Sequence, residues 1–278
     1  MSVSVLSHPG DSSSPGAPLR NLALLLAYDG SAFQGWQVQP HGPSVQGKLQ
    51  EAVRIATREA AAVHGSGRTD AGVHAEGQVA NVRVPAGIDL HKLQGNLNGL
   101  AGPHISVRSA AWVPEAFHAR RSAIGKTYRY RIHNRPYPPV LDRRCWWIRQ
   151  PLDARSMRRA AAALVGEHDF SAFRAKECEA VTPVRTMRTV TIGAAERDGD
   201  VIDLEFHATA FLQHMARILA GTLVAVGLGR LAPEAVAEIL ASRTRERAAA
   251  TAPPEGLHLI RVHYDLTEFP ALAAFLHA

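Results

Sequence analysis

Apolar residues in this chain occur in short runs that polar, glycine and proline positions interrupt. The apolar run over 21–28 predicts a buried strand, and the Asp29-Gly30 pair that follows predicts a turn. Ser44 is typical of a helix N-cap, and apolar positions spaced by three or four residues predict a helix over 45–60. The same pattern predicts further strands at 61–64, 78–84 and 105–112 and a helix at 90–97.

The second half of the chain repeats this order of elements. Residues 127–133 alternate between rings and cations, which predicts a strand with these two groups on opposite faces. Asp153 predicts the N-cap of a helix that continues to about 165, and Asp198-Gly199 predicts the turn of a hairpin. The remaining predictions are the hairpin strands at 189–192 and 201–207 and helices at 211–226 and 232–241.

Strands and helices do not alternate here as strictly as in a doubly wound parallel sheet. We therefore predict an α+β fold of two lobes with mixed or mostly antiparallel sheets. A length of 278 residues, of which 46% are hydrophobic, is enough for two such lobes. The predicted divisions are a disordered tail at 1–20, lobes at 21–115 and 116–268, and a C-terminal tail at 269–278.

Composition excludes several classes of protein. A membrane helix needs roughly 20 apolar residues, and the longest uncharged candidate, 218–229, is shorter. The first residues lack the basic and apolar regions of a secretory signal. Cys145 and Cys178 belong to no CxxC pattern and to no zinc-ligand spacing. We therefore expect a reduced, cytoplasmic protein without a membrane segment.

The positive charge of the chain, +6 in total, is concentrated in one segment. Residues 120–159 contain twelve lysines and arginines but only two acidic residues. Cations for phosphates and rings for bases are typical of nucleic-acid binding. A solvated basic face is the alternative interpretation. The aromatic residues interleaved with the cations are Tyr128, Tyr130, Tyr137, Trp146 and Trp147.

A glycine-rich loop over 64–74 is the densest polar cluster outside that segment. It lacks the GxGxxG and GxxxxGK[ST] patterns that predict a nucleotide phosphate site. His64, Asp70 and His74 could ligate a metal, as in a metal-dependent nucleotide hydrolase, although their spacing matches no familiar site. Two other interpretations remain open: a single functional carboxylate, Asp70, beside Arg68, and a tight turn with an Asx hydrogen bond.

The loop sequence GRTDAGVHA resembles the signature loop of the tRNA pseudouridine synthases of the TruA family. Other blocks resemble that family in the same order, so the resemblance covers the chain from about residue 21 to about residue 265. These blocks are Tyr28-Asp-Gly-Ser31, Gly35-Trp36-Gln37, Ser44-Val-Gln46, Gly77-Gln-Val79, Phe117-His-Ala-Arg120, Tyr128-Arg-Tyr130, Asp169-Phe-Ser-Ala-Phe-Arg174, Phe211-Leu-Gln-His-Met-Ala-Arg217 and Thr251-Ala-Pro-Pro-Glu-Gly256.

The resemblance implies a fold of two ferredoxin-like α/β halves whose sheets run together, with a basic cleft between them. It also implies a homodimer in which one tRNA can touch both subunits. The implied reaction converts uridine to pseudouridine at positions 38, 39 and 40 of the tRNA anticodon stem-loop. The implied chemistry uses no metal and no organic cofactor.

The resemblance also implies roles for single residues. Asp70 matches the catalytic aspartate, whose carboxylate can attack C1′ of the ribose, attack C6 of the base, or take the 2′ proton. Arg217 matches the arginine that pairs with this aspartate and orients it. Tyr128 matches a tyrosine whose ring stacks on the target uracil and whose hydroxyl can carry a proton at C5.

Contacts with tRNA are implied for a further group of residues. Arg68 matches an arginine assigned to base flipping, since a base inside a stem is out of reach until it is extruded. Arg121 stands where the family commonly has a hydrophobic residue. A non-catalytic tRNA-binding protein with the same charges is the alternative from another functional class. The other matched contact residues are Phe117, His118, Ala119, Arg120 and Arg174.

Overall fold

The computed structural model describes residues 18–195 and 198–277, so most of the predicted N-terminal tail lies outside the described residues. The strands are β1 (Leu19–Tyr28), β2 (His64–Gly65), β3 (His74–Pro85), β4 (Ile105–Trp112), β5 (Ala123–His133), β6 (Trp146–Trp147), β7 (Gly166–Asp169), β8 (Val184–Ala195), β9 (Asp198–Ala208) and β10 (Leu257–Tyr264). The α-helices are α1 (Val45–Thr57), α2 (Leu90–Ala101), α3 (Ala154–Ala161), α4 (Met215–Gly227), α5 (Ala235–Ser242) and α6 (Leu272–Phe275).

All ten of these strands join one mixed sheet, which is not closed. The strand order is β4-β1-β3-β10-β5-β9-β8-β7, with β2 added to β3 and β6 added to β5. The predicted α+β fold with a mixed sheet is therefore confirmed. The boundaries assigned to the two lobes remain a prediction.

Strand β10 joins the two halves at the centre of the sheet, although the sequence pattern did not predict a strand there. It pairs in parallel with β3 through His258 opposite His74 and Leu259 opposite Ala75. On its other side it pairs antiparallel with β5, where Leu259 lies opposite Tyr128. Tyr128 is therefore only two strand spacings from Ala75, which brings the start of β3 close to the middle of β5.

The predicted helix caps are confirmed at α1 and α3. The Ser44 Oγ accepts the Gly47 N–H at 3.2 Å, and an Asp153 carboxylate oxygen accepts the Ser156 N–H at 3.1 Å. Helix α1 ends at Thr57, three residues before the predicted end, because Arg58 adopts a left-handed conformation with φ of 61°. The last predicted turn of α3 is instead a short 3₁₀ segment at Ala162–Leu164.

Other boundaries differ from the prediction. The hairpin of β8 and β9 is confirmed, but Asp198 and Gly199 belong to β9, and residues 196–197 lie outside the described part. The second strand is His64–Gly65 rather than 61–64. The last segment packs against the core, because Phe269, Leu272 and Phe275 are buried.

Helix α4 carries the largest share of buried residues among the helices of residues 18–195 and 198–277. Eleven of its thirteen residues are buried, from Met215 to Gly227. The helix begins four residues after the predicted start, because residues 211–214 form a loop. None of the helices in the described residues combines the length and the apolar composition that crossing a membrane requires.

Candidate active site

The loop between β2 and β3 is anchored to β3 by a buried glutamine. Gln78 Nε2 donates to the Gly67 carbonyl at 3.0 Å, and the Ser66 Oγ donates to Gln78 Oε1 at 2.6 Å. Both Ser66 and Gln78 are fully buried. Because buried polar groups need partners, this pair of bonds holds the first half of the loop in one position.

Backbone hydrogen bonds fix the position of Asp70 within that loop. The Trp36 N–H donates to the Thr69 carbonyl at 3.0 Å, and the Val73 N–H donates to the Asp70 carbonyl at 3.1 Å. Gly72 has φ of +79°, a left-handed conformation that favours glycine. The backbone therefore forms the predicted tight turn at Asp70, and the functional role of its carboxylate stays a prediction.

Asp70 forms an ion pair with Arg217 from the other half of the chain. Arg217 Nη1 lies 2.8 Å from Asp70 Oδ2, and Arg217 Nε donates to the Ala252 carbonyl at 2.8 Å. The side chain of Arg217 is 14% exposed and that of Asp70 is 29% exposed. The guanidinium therefore orients the carboxylate through a charge-assisted bond, while part of the carboxylate stays accessible. The pairing that the resemblance implied is present in the structure.

His214 is a neighbour of Asp70 that sequence reasoning did not single out. Its Nε2 lies 3.4 Å from Asp70 Oδ2, the same oxygen that contacts Arg217. A signal was present in the sequence, because His214 precedes Arg217 by three residues within a matched block, and residues at that spacing meet on one face of a helix.

Tyr128 lies on the buried face of β5, near Asp70. Its ring packs edge-to-face on Phe211 with 4.8 Å between centroids. Burial, with smaller contributions from Tyr28 and Asp70, raises the pKa of Tyr128 far above its ordinary value, so the phenol is protonated at neutral pH. Burial also raises the pKa of Tyr28 to about 12, while its hydroxyl lies 2.9 Å from Thr69 Oγ1.

Lys126 supports the same loop from β5. Its Nζ donates to the Ser66 carbonyl at 2.9 Å. A Cβ at Gly67 would lie 2.4 Å from that Nζ, so a larger residue at this position would displace the end of the lysine side chain. Burial, and secondarily the charge of Arg120, lowers the pKa of Lys126 to about 8. This residue was counted in the basic segment, but its amine faces the loop backbone.

The residues matched as tRNA contacts have different environments. Arg68, Arg120 and Arg121 are exposed. Phe117 and Ala119 are buried, so their side chains belong to the core.

The two half-buried residues of that group lie on separate loops. His118 lies against His64, with the two rings tilted by 37° and 5.3 Å between their centroids. Arg174 precedes Ala175, whose N–H donates to the Gln213 carbonyl at 3.0 Å. The loop of Arg174 therefore lies beside the loop that carries His214.

Several cations of the basic segment are neutralised within the fold. Arg129 Nη2 lies 2.7 Å from Glu205 Oε1, and Arg131 Nε lies 3.2 Å from Asp203 Oδ1. Arg129 and Arg131 alternate along β5 with Tyr128, so they lie on the opposite face of the sheet. Arg129 was counted in the basic segment, but its guanidinium is held by carboxylates of β9.

The three residues considered as metal ligands do not come together. His74 accepts the Gly30 N–H at 3.1 Å through Nδ1 and stacks on His258. His64 contacts His118 instead. Within residues 18–195 and 198–277 there is no group of three or more His, Cys, Asp or Glu side chains with the arrangement of a metal site.

The family model and the relatives that match this chain describe the same kind of enzyme. A family model described as tRNA pseudouridine synthase matches residues 160–265. A tRNA pseudouridine synthase A from Myxococcus xanthus is 47% identical over 244 residues, which are 87% of this chain and 91% of that protein. Another from Allorhizobium ampelinum is 44% identical over 245 residues, which are 87% of this chain and 93% of that protein. The chain therefore belongs to the tRNA pseudouridine synthase A family.

Proposed function

We propose that this chain isomerises uridine to pseudouridine at positions 38, 39 and 40 of the tRNA anticodon stem-loop, with Asp70 as the catalytic carboxylate and without a cofactor. The observation that carries the proposal is the partly exposed Asp70–Arg217 ion pair, which joins the matched loop to the matched helix block. Membership of the tRNA pseudouridine synthase A family supports the reaction type.

The reaction breaks the bond from N1 of uracil to C1′ of the ribose and forms a bond from C5 to C1′. One proton leaves C5 and one proton ends on N1, so no redox partner is needed. A carboxylate can begin this sequence by attacking C1′, by attacking C6, or by taking the 2′ proton. Asp70 fits each of these three routes, because Arg217 stabilises its negative charge while part of the carboxylate remains exposed.

We infer that Tyr128 contacts the uracil of the target uridine. It is held against Phe211, and its raised pKa keeps the hydroxyl protonated in the resting enzyme. The hydroxyl therefore starts as a hydrogen-bond donor, and it can accept the C5 proton only while passing on its own proton.

We infer that Arg68 replaces the flipped base in the stem. It is exposed and lies two residues before Asp70 on the loop. Extruding a paired base costs a few kcal/mol, and a cation that enters the vacated space can offset part of this cost. Arg120 and Arg121 are exposed cations suited to phosphate contacts.

We also propose that the enzyme works in the cytoplasm as a homodimer. Both Cys145 and Cys178 are thiols, which is typical of a reducing compartment. The homodimer rests on the family resemblance alone, and sedimentation equilibrium of the purified protein tests it.

The proposal is tested by incubating the protein with unmodified tRNA transcripts and mapping pseudouridine at nucleotide resolution. We expect pseudouridine at positions 38, 39 and 40, on transcripts of unchanged length, with the same yield in the presence of a chelator. Tight binding without any pseudouridine would instead identify a non-catalytic tRNA-binding protein.

A further inference from the structure

His214 and Arg217 contact the same atom of Asp70. His214 Nε2 lies 3.4 Å from Oδ2 and Arg217 Nη1 lies 2.8 Å from it. His214 directly precedes α4, and Arg217 lies in the first turn of that helix. Both contacts are to Oδ2, so this is the oxygen of the carboxylate that the two side chains hold.

The backbone of His214 adopts a conformation that histidine rarely takes. Its φ is +60°, in the left-handed region. Arg58 and Arg243 have similar φ values, but each ends a helix, where left-handed residues are common. His214 instead precedes α4. Strain of this kind is concentrated at functional sites, where the surrounding structure maintains it.

Backbone hydrogen bonds on both sides of His214 maintain this conformation. The Met215 N–H donates to the Leu212 carbonyl at 3.1 Å, and the Ile218 N–H donates to the His214 carbonyl at 2.9 Å. The side chain is 31% exposed, so burial does not select an imidazole here. The conformation instead directs Nε2 toward Asp70.

We propose that His214 is a positioning residue for the isomerisation: together with Arg217 it holds Oδ2 of Asp70, and so directs Oδ1 toward the ribose and base of the target uridine. This inference rests on the proposed function. The imidazole acts as a donor from Nε2, which a neutral tautomer with the proton on Nε2 already provides. Loss of that donor slows the chemical step and leaves tRNA binding unchanged.

Three substitutions separate this role from a purely structural one. Glycine and asparagine tolerate left-handed backbone best, but neither places a donor where Nε2 lies. Glutamine tolerates that backbone less well, but its amide nitrogen reaches the position of Nε2. If His214 only shapes the backbone, then His214→Gly and His214→Asn are the active variants and His214→Gln is the slowest.

The positioning role predicts the reverse order. In single turnover with enzyme in excess, His214→Gly and His214→Asn should be about tenfold slower than the wild type, with the dissociation constant for tRNA within twofold. His214→Gln should recover most of the rate. Arg58→Asn, at a left-handed helix end, is the matched control and should behave as the wild type. Full activity of His214→Asn, or equal loss in all three variants, would overturn the inference.

A second measurement does not depend on turnover. In protein labelled with ¹⁵N in histidine, the Nε2 resonance of His214 should move when Asp70 is replaced in Asp70→Asn. An unchanged resonance would overturn the contact on which the inference depends. If the wild-type protein forms no pseudouridine, the proposed function fails, but this spectrum still decides whether His214 is coupled to Asp70.

Discussion

Asp70 has two kinds of support, one from each half of the chain. On the side of the first half, a loop is held by backbone hydrogen bonds and by the buried pair of Ser66 and Gln78. On the side of the second half, the charged and polar side chains of Arg217 and His214 reach the carboxylate itself. The first half therefore fixes where Asp70 lies, and the second half fixes the direction of its carboxylate.

This difference predicts two classes of variant. Changes in the loop that keep Asp70 should reduce folding stability before they affect the chemistry. Changes in α4 that keep the fold should reduce the rate of isomerisation before they affect stability.

Asp70→Asn should have the largest effect, with no detectable pseudouridine. The amide keeps the shape of the side chain but removes the charge and the nucleophile. The affinity for tRNA should stay within a few-fold of the wild type, because affinity comes mainly from phosphate contacts elsewhere. Product mapping and filter binding on the same samples check both parts. Asp89→Asn is the matched control, since asparagine also serves as a helix N-cap.

Arg217→Lys should be the next most severe change. Lysine keeps the charge but cannot bond both Asp70 and the Ala252 carbonyl in the geometry of the guanidinium. A lost bond to a charged group costs roughly 1.5–3 kcal/mol, so the single-turnover rate should fall by about 10- to 100-fold. Arg243→Lys, in a surface pair with Asp169, should leave the rate unchanged. A wild-type rate for Arg217→Lys would contradict the orienting role.

Gly65→Ala tests the support that the first half of the chain gives to Asp70. The added methyl group would lie 2.4 Å from ring atoms of Trp36, so the packing must shift. We expect the free energy of unfolding to fall by about 1–3 kcal/mol. Gly99→Ala in α2, where the described residues leave the added methyl group open space, should instead raise it by about 0.5–1 kcal/mol. Urea unfolding of both variants provides the comparison, and equal stabilities would refute the packing argument.

The two kinds of support for Asp70 also differ in how far the sequence alone could predict them. The apolar run of β1 and the N-cap Ser44 are local signals, and they predicted the elements that surround the loop. The partner of Asp70 lies 147 residues away along the chain, so no local pattern reveals the pair. Only the family resemblance connected Arg217 to Asp70.

The structures of strand β10 and of the basic segment also depend on contacts between distant residues, which no local sequence pattern reveals. The sequence of β10 mixes histidine and arginine with apolar residues, and its place at the centre of the sheet depends on partners far along the chain. Counting charges over 120–159 treated Arg129 as available to RNA, but its partner Glu205 lies 76 residues away. Net charge over a segment therefore overstates the cations that can contact phosphate.

Arg68→Ala should have an effect that depends on the target position. Positions 39 and 40 lie in the paired stem and position 38 lies at the loop edge, so flipping costs more at 39 and 40. If Arg68 fills the vacated space, its loss should slow modification at 39 and 40 more than at 38. Mismatching the target uridine should partly restore the rate. Single-turnover rates, measured on tRNAs that each carry one target uridine, decide whether Arg68 fills the vacated space.

An equal loss at all three positions, without rescue by a mismatch, would assign Arg68 to the support of Asp70 instead. Arg68 would then be one of the residues of the first half that hold Asp70 in place, and it would not contact the flipped base. Binding affinity should stay nearly constant across the same set of tRNAs, which separates flipping from simple phosphate contact.

The smallest expected effect concerns the salt dependence of binding. Arg120 is exposed, so Arg120→Gln should reduce the slope of log affinity against log salt by roughly 0.7–0.9. Arg129 is paired with Glu205, so Arg129→Gln should leave the slope unchanged. Affinities measured from low to high salt check both variants, after thermal unfolding has shown that each is folded. A loss of slope in Arg129→Gln would contradict the internal pairing.

The most direct test of the central claim follows the hydrogen on C5 of the target uridine. Pseudouridine formation replaces the C5–H bond with a C5–C1′ bond, so tRNA labelled with tritium at C5 must release tritium to water. The wild-type protein and Asp89→Asn should release tritium in proportion to the target uridines, and Asp70→Asn should release none at saturating enzyme. Measurable release by Asp70→Asn would show that Asp70 does not carry the reaction.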